Sequence, residues 1–398
     1  MHSDNRNVWR CVAIFLVMML VAGGCSRTET PKPAPGTETK TDKAEVKSQG
    51  VSAGKLIDRG LSYLCAKQSP DGAYRGKDAN PAFDIGTTGL VLKALASSDR
   101  AYRETDGPFV SKAVKFLLDN RQADGGIRAE MLGTYTTSIA VTALASLENE
   151  KHKETIDQAV AYIKGQQFTE RNGYDQKEHS TYGGFGYGST LRPDLSNTQT
   201  ALDAFEAAGL PKDDPAYKAV AVFLSRCQNN SETNDQGYAG TDGGAVYNPN
   251  ESKAGTYVKP DGSTGLRSYG SMTYALLKSM VYANLSKDDP RVKAASAWIR
   301  SNYTLEENPG IGQKGRYYYY VTFAKALNAL GEDVIVDDKG VRHEWRKELV
   351  AMLASLQKED GSWVNEQSDQ WGEADPVLAT SFAVLALEEA ARKPKGGS

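Results

Sequence analysis

From about residue 53 to residue 390 the chain alternates between two kinds of helical pattern. In the first kind apolar residues recur at helical spacing, charges occupy the other side, and the pattern stops at a Gly, Asn or Asp turn signal. Six such stretches centre on Tyr63-Leu64, Leu117-Leu118, Tyr162-Ile163, Phe223-Leu224, Trp298-Ile299 and Met352-Leu353. Each is followed by a second kind, small and apolar on all sides. These read LVLKALA after Asp84 to Thr88, IAVTALASL after Tyr135 to Thr137, and QTALDAF after Asp194 to Thr198. The last three are YALLKSM after Tyr269 to Thr273, VTFAKALNAL after Tyr317 to Tyr320, and LATSFAVLALEEA after Asp375-Pro376-Val377. A helix with one charged side faces water, and one that is apolar all round is buried. The pattern therefore predicts six pairs, each of one outer and one inner helix.

A short motif marks the end of the outer helices. It is clearest at the two ends of the domain, as Tyr63-Leu64, Gln68, Asp71-Gly72, Tyr74 and as Met352-Leu353, Gln357, Asp360-Gly361, Trp363. It recurs more faintly at Gln122 before Asp124-Gly125, at Gln167 and at Gln228, and Tyr303 replaces the glutamine in the fifth repeat. An open solenoid closes its ends with polar capping repeats. Here the first and last repeats carry the strongest motif, so the ends are expected to meet, giving an all-α, closed (α/α)6 toroid. Two outer helices open on near copies, Lys212-Asp213-Asp214-Pro215 and Lys287-Asp288-Asp289-Pro290. An Asp at the N-cap followed by Pro at the first helical position is a helix start, and explains these aspartates better than a metal site.

The Gln-x-x-Asp-Gly-x-aromatic signature resembles the repeat of squalene cyclases and protein prenyltransferase β subunits, over roughly residues 53 to 390. The resemblance implies a six-plus-six toroid with a central apolar cavity, a site at the inner-helix N-termini, and a bracing role for Gln68, Gln122, Gln167, Gln228 and Gln357. The catalytic devices of the family do not carry over. Cyclases protonate an alkene with the middle acid of an Asp-x-Asp-Asp-Thr motif. The local match is Asp194-Leu195-Ser196-Asn197-Thr198, with Ser196 and Asn197 in place of the two later acids. A serine hydroxyl is too weak an acid for that step. Prenyltransferases hold zinc through an Asp-x-Cys pair and a His. Neither Cys65 nor Cys227 follows that pattern, both belong to outer helices as small apolar residues, and their repeats stand too far apart for a disulfide. No metal and no cofactor is expected.

Two insertions break the rhythm, from about Thr169 to Arg192 and from about Asn229 to Arg267. Loops of this length without helices are commonly functional, although packing over the surface is the other reading. Both precede inner-helix starts and bring aromatic residues: Tyr182, Phe185 and Tyr187 in the first, Tyr247 in the second. Tyr182, Phe185 and Tyr187 of the first insertion make a tyrosine-rich rim with Tyr269, Tyr317 and Tyr320, to which Asp84, Asp194, Asn197, Glu373 and Asp375 add acidic and polar groups. That rim is the candidate site: the first group for ligand contact, the second for catalysis.

The N-terminus has the marks of an export signal. Arg6 and Arg10 precede the apolar run Val12 to Ala22, then Gly23-Gly24-Cys25. It resembles a bacterial lipoprotein signal, which implies residues 1–24 as signal peptide, Cys25 as lipidated first residue, and a cell-envelope protein held on a membrane. Residues 25–52 are Thr, Lys, Glu and Pro with little to bury, as a tether would be. The toroid is expected over 53–392 and a disordered tail over 393–398. Apolar residues at 40 % support a sizeable core, and a net charge of −3 with scattered Lys and Arg excludes a nucleic-acid partner. Three functions follow as expectations: an enzyme or binder for an isoprenoid-like or other apolar ligand, a non-catalytic module for a protein or peptide partner, or a polysaccharide lyase or hydrolase.

Overall fold

The computed structural model describes residues 52–77, 80–188 and 192–392. The segments expected as signal peptide (1–24), lipidated Cys25, tether as far as residue 51, and tail (393–398) lie outside the described residues. Six outer helices run as α1 (Ala53–Cys65), α3 (Pro108–Asp119), α5 (Lys153–Gly165), α7 (Pro215–Arg226), α9 (Pro290–Ser301) and α11 (Trp345–Leu356). They alternate with inner helices α2 (Pro81–Ser97), α4 (Gly133–Ser146), α6 (Leu195–Ala207), α8 (Gly270–Tyr282), α10 (Arg316–Leu330) and α12 (Pro376–Ala391). Among the described residues there are also four single 3-10 turns and two short antiparallel hairpins, β1 (Thr256–Val258) with β2 (Thr264–Leu266), and β3 (Ile335–Val336) with β4 (Arg342–His343).

Burial follows the two patterns. α1 buries one stripe, Leu56, Ile57, Gly60, Leu61 and Leu64, whereas α2 is buried from Asp84 to Leu92 without a break. Each inner helix packs on the next, and α12 returns to α2, so the inner ring is closed. α1 seals the seam by lying against α12. Gly60 makes this approach possible, because a Cβ there would stand 2.7 Å from Val384 Cγ2 and 2.9 Å from the Trp363 ring. The expected meeting of the first and last repeats is therefore a direct contact.

The repeat motif is a backbone staple. The Gln68 side-chain amide donates to Gly72 O within its own turn and to Phe109 O at the start of the next outer helix, both at 3.1 Å. Gln167 does the same with Gly183 O and Ala216 O, and Gln228 with Gly243 O and Arg291 O. Gln357 closes the circle by donating to Gly361 O and to Leu56 O of α1, both at 3.0 Å. In the second repeat the glutamine alignment is off by one. Arg121 pairs with Ile127 as Gln68 pairs with Tyr74, and it reaches Thr155 and Gln158 of α5. Gln122 instead serves Asn120 O and Arg128 O, because the Asp124-Gly125 turn starts one residue earlier relative to it.

A second part of the staple comes from the inner helices. Thr88, Thr137, Thr198, Thr273 and Thr380 each accept, on Oγ1, the backbone N–H of the residue after the turn: Tyr74, Ile127, Phe185, Ala245 and Trp363. These bonds are 2.9 to 3.0 Å long. Burying a loop amide requires such a partner, so Thr198 is structural. The two Asp-Pro starts are also confirmed: Asp214 and Asp289 cap α7 and α9. Cys65 and Cys227 are free thiols.

Candidate functional site

The inner helices enclose an axial cavity lined from α2, α4, α6, α10 and α12. It has room for only about 40 Å³ of water centres, where one water needs roughly 10–15 Å³. Large side chains fill the rest of the ring. Tyr135 and Tyr318 stand at the end nearest the inner-helix N-termini, and Leu90, Ile139, Val321, Phe382 and Leu385 form apolar walls. Lys93, Asp203 and Lys325 line the deeper part.

The mouth is organised around Asp194. It is the N-cap of α6 and is 2 % exposed. Its Oδ1 accepts from Asn197 N and its Oδ2 from Asn197 Nδ2, both at 2.8 Å. Burial lifts its carboxyl to about 6, against hydrogen bonds from Asn197 and Tyr247 and the attraction of Lys253. Tyr187 also bonds Tyr247 and Asn197, and Tyr269 lies close enough to feel the charge of Asp194. Ser196 stands where the cyclase motif would hold its acid. Its hydroxyl is 3.0 Å from the Tyr318 phenol, which also accepts from Gln199 Nε2 at 3.0 Å. This network spans the ring from α6 to α10 and narrows the entrance to the cavity.

Of the rim residues expected from sequence, the structure gathers Asp194, Asn197, Tyr187 and Tyr269 here. The others are elsewhere. Asp84 sits in the first turn of α2, held 3.0 Å from Arg75 Nε; burial raises its carboxyl and Arg75 opposes that. Asp375 caps α12 through Val377 N at 2.7 Å and also accepts from Lys77 N. Glu373 serves the start of α10, whose own N-cap is Gly315. Its Oε1 accepts from Tyr318 N at 2.7 Å and its Oε2 from Asn365 Nδ2 at 2.9 Å. Burial lifts this carboxyl to about 7 despite those bonds. Helix starts leave orphan N–H groups that an acid satisfies well, so Glu373 and Asp375 are occupied as caps, while Asp84 is held by Arg75 and the cap of α2 is Asn80.

Among the aromatics, Tyr182 donates to Glu170 at 3.0 Å. Phe185 packs edge-on against Phe205 in the core, with centroids 5.8 Å apart. Tyr317 donates to Val364 O, and Tyr320 to Leu305 O at 2.7 Å, so both point away from the axis. Tyr318, between them, is the member of the run that faces it. The helical period gives the reason: Tyr318 shares its face with Val321, Thr322 and Lys325 of the cavity wall. Sequence reading missed this group together with Tyr135, Gln199, Lys93, Asp203 and Lys278.

A sequence model of the prenyltransferase alpha-alpha toroid domain matches residues 55–181, 140–248 and 260–388. The chain belongs to this family. No curated protein matches it. Among solved structures it is similar to the type II terpene cyclase MstE from Scytonema, with a TM-score of 0.54 and 14 % identity over 85 % of this chain and 98 % of that one. It is also similar to the GH76A alpha-1,6-mannanase from Salegentibacter sp. HEL1_6, with a TM-score of 0.55 and 11 % identity over 85 % and 98 %. A protein from Actinoplanes gives 0.51 and 15 % over 86 % and 100 %. These likenesses establish the toroid and leave its chemistry to the site.

The capping role of Asp194 gives a measurable expectation for this prenyltransferase-family toroid. Its folded-state pKa of about 6 lies above the ordinary 3.8. The folded state therefore holds that proton more tightly, and the associated stability is full below pH 3.8 and is lost as pH rises through 6. Asn caps a helix as well as Asp. Asp194→Asn should thus be as stable as the parent at pH 7.5, within about 1 kcal/mol, and relatively weaker at pH 4. Urea unfolding at both pH values checks this; a large loss at pH 7.5 would show that the charge itself holds the mouth together.

Proposed function

We propose that this protein is a membrane-tethered binding toroid that holds a slim ligand in its axial cavity and does not cyclise it. The observation that carries this reading is the absence of an available acid among the described residues that line the cavity. Asp203 is the carboxyl there, and it is held charged: burial alone would raise it, but Lys278, Lys325 and Lys93 together outweigh burial and pull it well below the usual range. A permanently ionised carboxylate cannot protonate an alkene, and Ser196 cannot replace it. The small free volume also suits a narrow ligand better than a folded polycyclic one. Export by the signal and anchoring through Cys25 complete the proposal.

An isoprenoid ligand is the second reading. Leu90, Ile139, Val321, Phe382 and Leu385 make apolar walls, and a similar ring in MstE has been solved with the product merosterolic acid A, at a TM-score of 0.51 and 15 % identity. Native mass spectrometry of the purified chain after incubation with extracted lipids separates the two. Release without a triterpenoid-sized adduct is expected. A retained polycyclic or long polyprenyl lipid would remove the first reading in favour of the second.

A further inference from the structure

Three lysines from three different inner helices converge on one aspartate at the deep end of the axial cavity. Lys278 Nζ is 2.5 Å from Asp203 Oδ1, and Lys325 Nζ is 2.8 Å from Asp203 Oδ2. Lys278 also donates to Gln199 Oε1. Each oxygen of the single carboxylate is thus taken by one ammonium. Lys93 lines the same cavity from α2 and has no hydrogen-bond or ion-pair partner among the described residues. The nearby acids do not supply one. Glu389 is engaged by Asn328 Nδ2 at 2.7 Å and by Arg392 at 3.0 Å, and burial keeps Glu388 towards its neutral form.

An ammonium half-buried inside the ring without a paired carboxylate is costly. It is relieved by losing its proton or by taking an anion. The first is partly achieved, since burial, with help from Lys325, brings Lys93 down to about 7. The second is what the geometry offers: a cavity with the unpaired Lys93 and the half-neutralised Lys325 on its wall, and with the space for about three waters to be displaced.

We propose that Lys93 and Lys325 form the cationic end of an oxyanion site, which seats a carboxylate or phosphate group inside the ring. This rests on the reading of the axial cavity as the ligand site. The group arrives either as a free anion or as the head of a longer ligand whose tail follows the apolar wall past Leu385 and Phe382. Asp203 is the reason the site selects a small anion. It holds Lys278 and Lys325 in place and leaves one net positive charge from that trio, to which Lys93 adds a second when an anion beside it keeps it protonated.

Calorimetric titration and thermal unfolding of the mature chain test this, with sodium phosphate, sodium acetate and octyl phosphate against sodium chloride at equal ionic strength. Phosphate or acetate is expected to bind and stabilise beyond chloride. Lys93→Met should fold, because it exchanges an unpaired ammonium for an apolar chain of similar length, and should bind the anion at least about tenfold more weakly, the loss of one charged contact. Lys55→Met, on the exposed side of α1, should bind as the parent does. Tighter binding of octyl phosphate than phosphate would identify a headgroup; equal binding would identify a free anion. No anion-specific effect, or the same effect in Lys93→Met, overturns the proposal. Binding of neutral octanol alone would do so while leaving the axial cavity as the ligand site.

Discussion

Asp203→Asn is expected to destabilise the protein by about 3–5 kcal/mol, the typical result of removing one partner from a buried ion pair. Its carboxylate is the counter-charge for Lys278, whose side chain is fully buried, and for Lys325, whose side chain is 12 % exposed. An amide at that position leaves three ammonium groups around the axis with none of them neutralised by Asp203. The deficit should shrink at alkaline pH, since burial already brings Lys278 down to about 8 even with Asp203 beside it. The sign for the parent protein is equally definite. Lys93 has a folded-state pKa of about 7 against an ordinary 10.5, so the unfolded chain binds the proton more tightly. Stability from this group therefore rises with pH above about 7. Between pH 7 and 9, before unfolded tyrosines ionise, the parent should gain stability relative to Lys93→Met, in which only the contribution of Lys278 remains. Urea unfolding across this range measures both. A loss below 1 kcal/mol for Asp203→Asn would mean that the lysines are solvated well enough to do without it.

Trp363→Ala should cost a similar amount, about 3–5 kcal/mol, for a different reason. Trp363 is fully buried at the seam where the last repeat meets the first. Its indole N–H donates to Leu353 O at 2.8 Å, and its backbone N–H donates to Thr380 Oγ1 at 2.9 Å. Its ring occupies the space that Gly60 leaves open on α1. Truncation removes the wedge between α11, α12 and α1, so the first helix should loosen before the rest of the ring. Hydrogen exchange is expected to accelerate in α1 more than in α7, which lies away from the seam. Uniform exchange across the outer helices would show that closure does not depend on this contact.

The acidic rim shows why a site is harder to read than a fold. Asp84, Asp194, Glu373 and Asp375 each lie near an inner-helix start in the sequence. That position is where carboxylates also serve as caps, and a linear sequence does not distinguish a cap from a free acid. Glu373 illustrates the difficulty: it serves the start of α10 rather than that of its own neighbour α12, a pairing that the loop from Asn365 to Glu373 creates in space. The tyrosine run has a similar ambiguity. Periodicity establishes that Tyr318 faces a different way from Tyr317 and Tyr320, but which side meets the axis depends on the rotation of α10 within the ring.

The sequence by itself determined the alternation of outer and inner helices, their number, the closing of the ring through its terminal repeats, and the missing acid at Ser196. These follow from local periodicity, from turn chemistry and from residue identity, each readable over a few residues. It also displayed one charge within each of four otherwise apolar inner segments: Lys93, Asp203, Lys278 and Lys325. The tertiary structure alone decided that these four converge. They come from four repeats, and a charge in a buried helix is either an isolated cost or a partner in a network according to what faces it. Closure of the ring supplies those facing residues, pairing two lysines with Asp203 and leaving Lys93 open to the cavity.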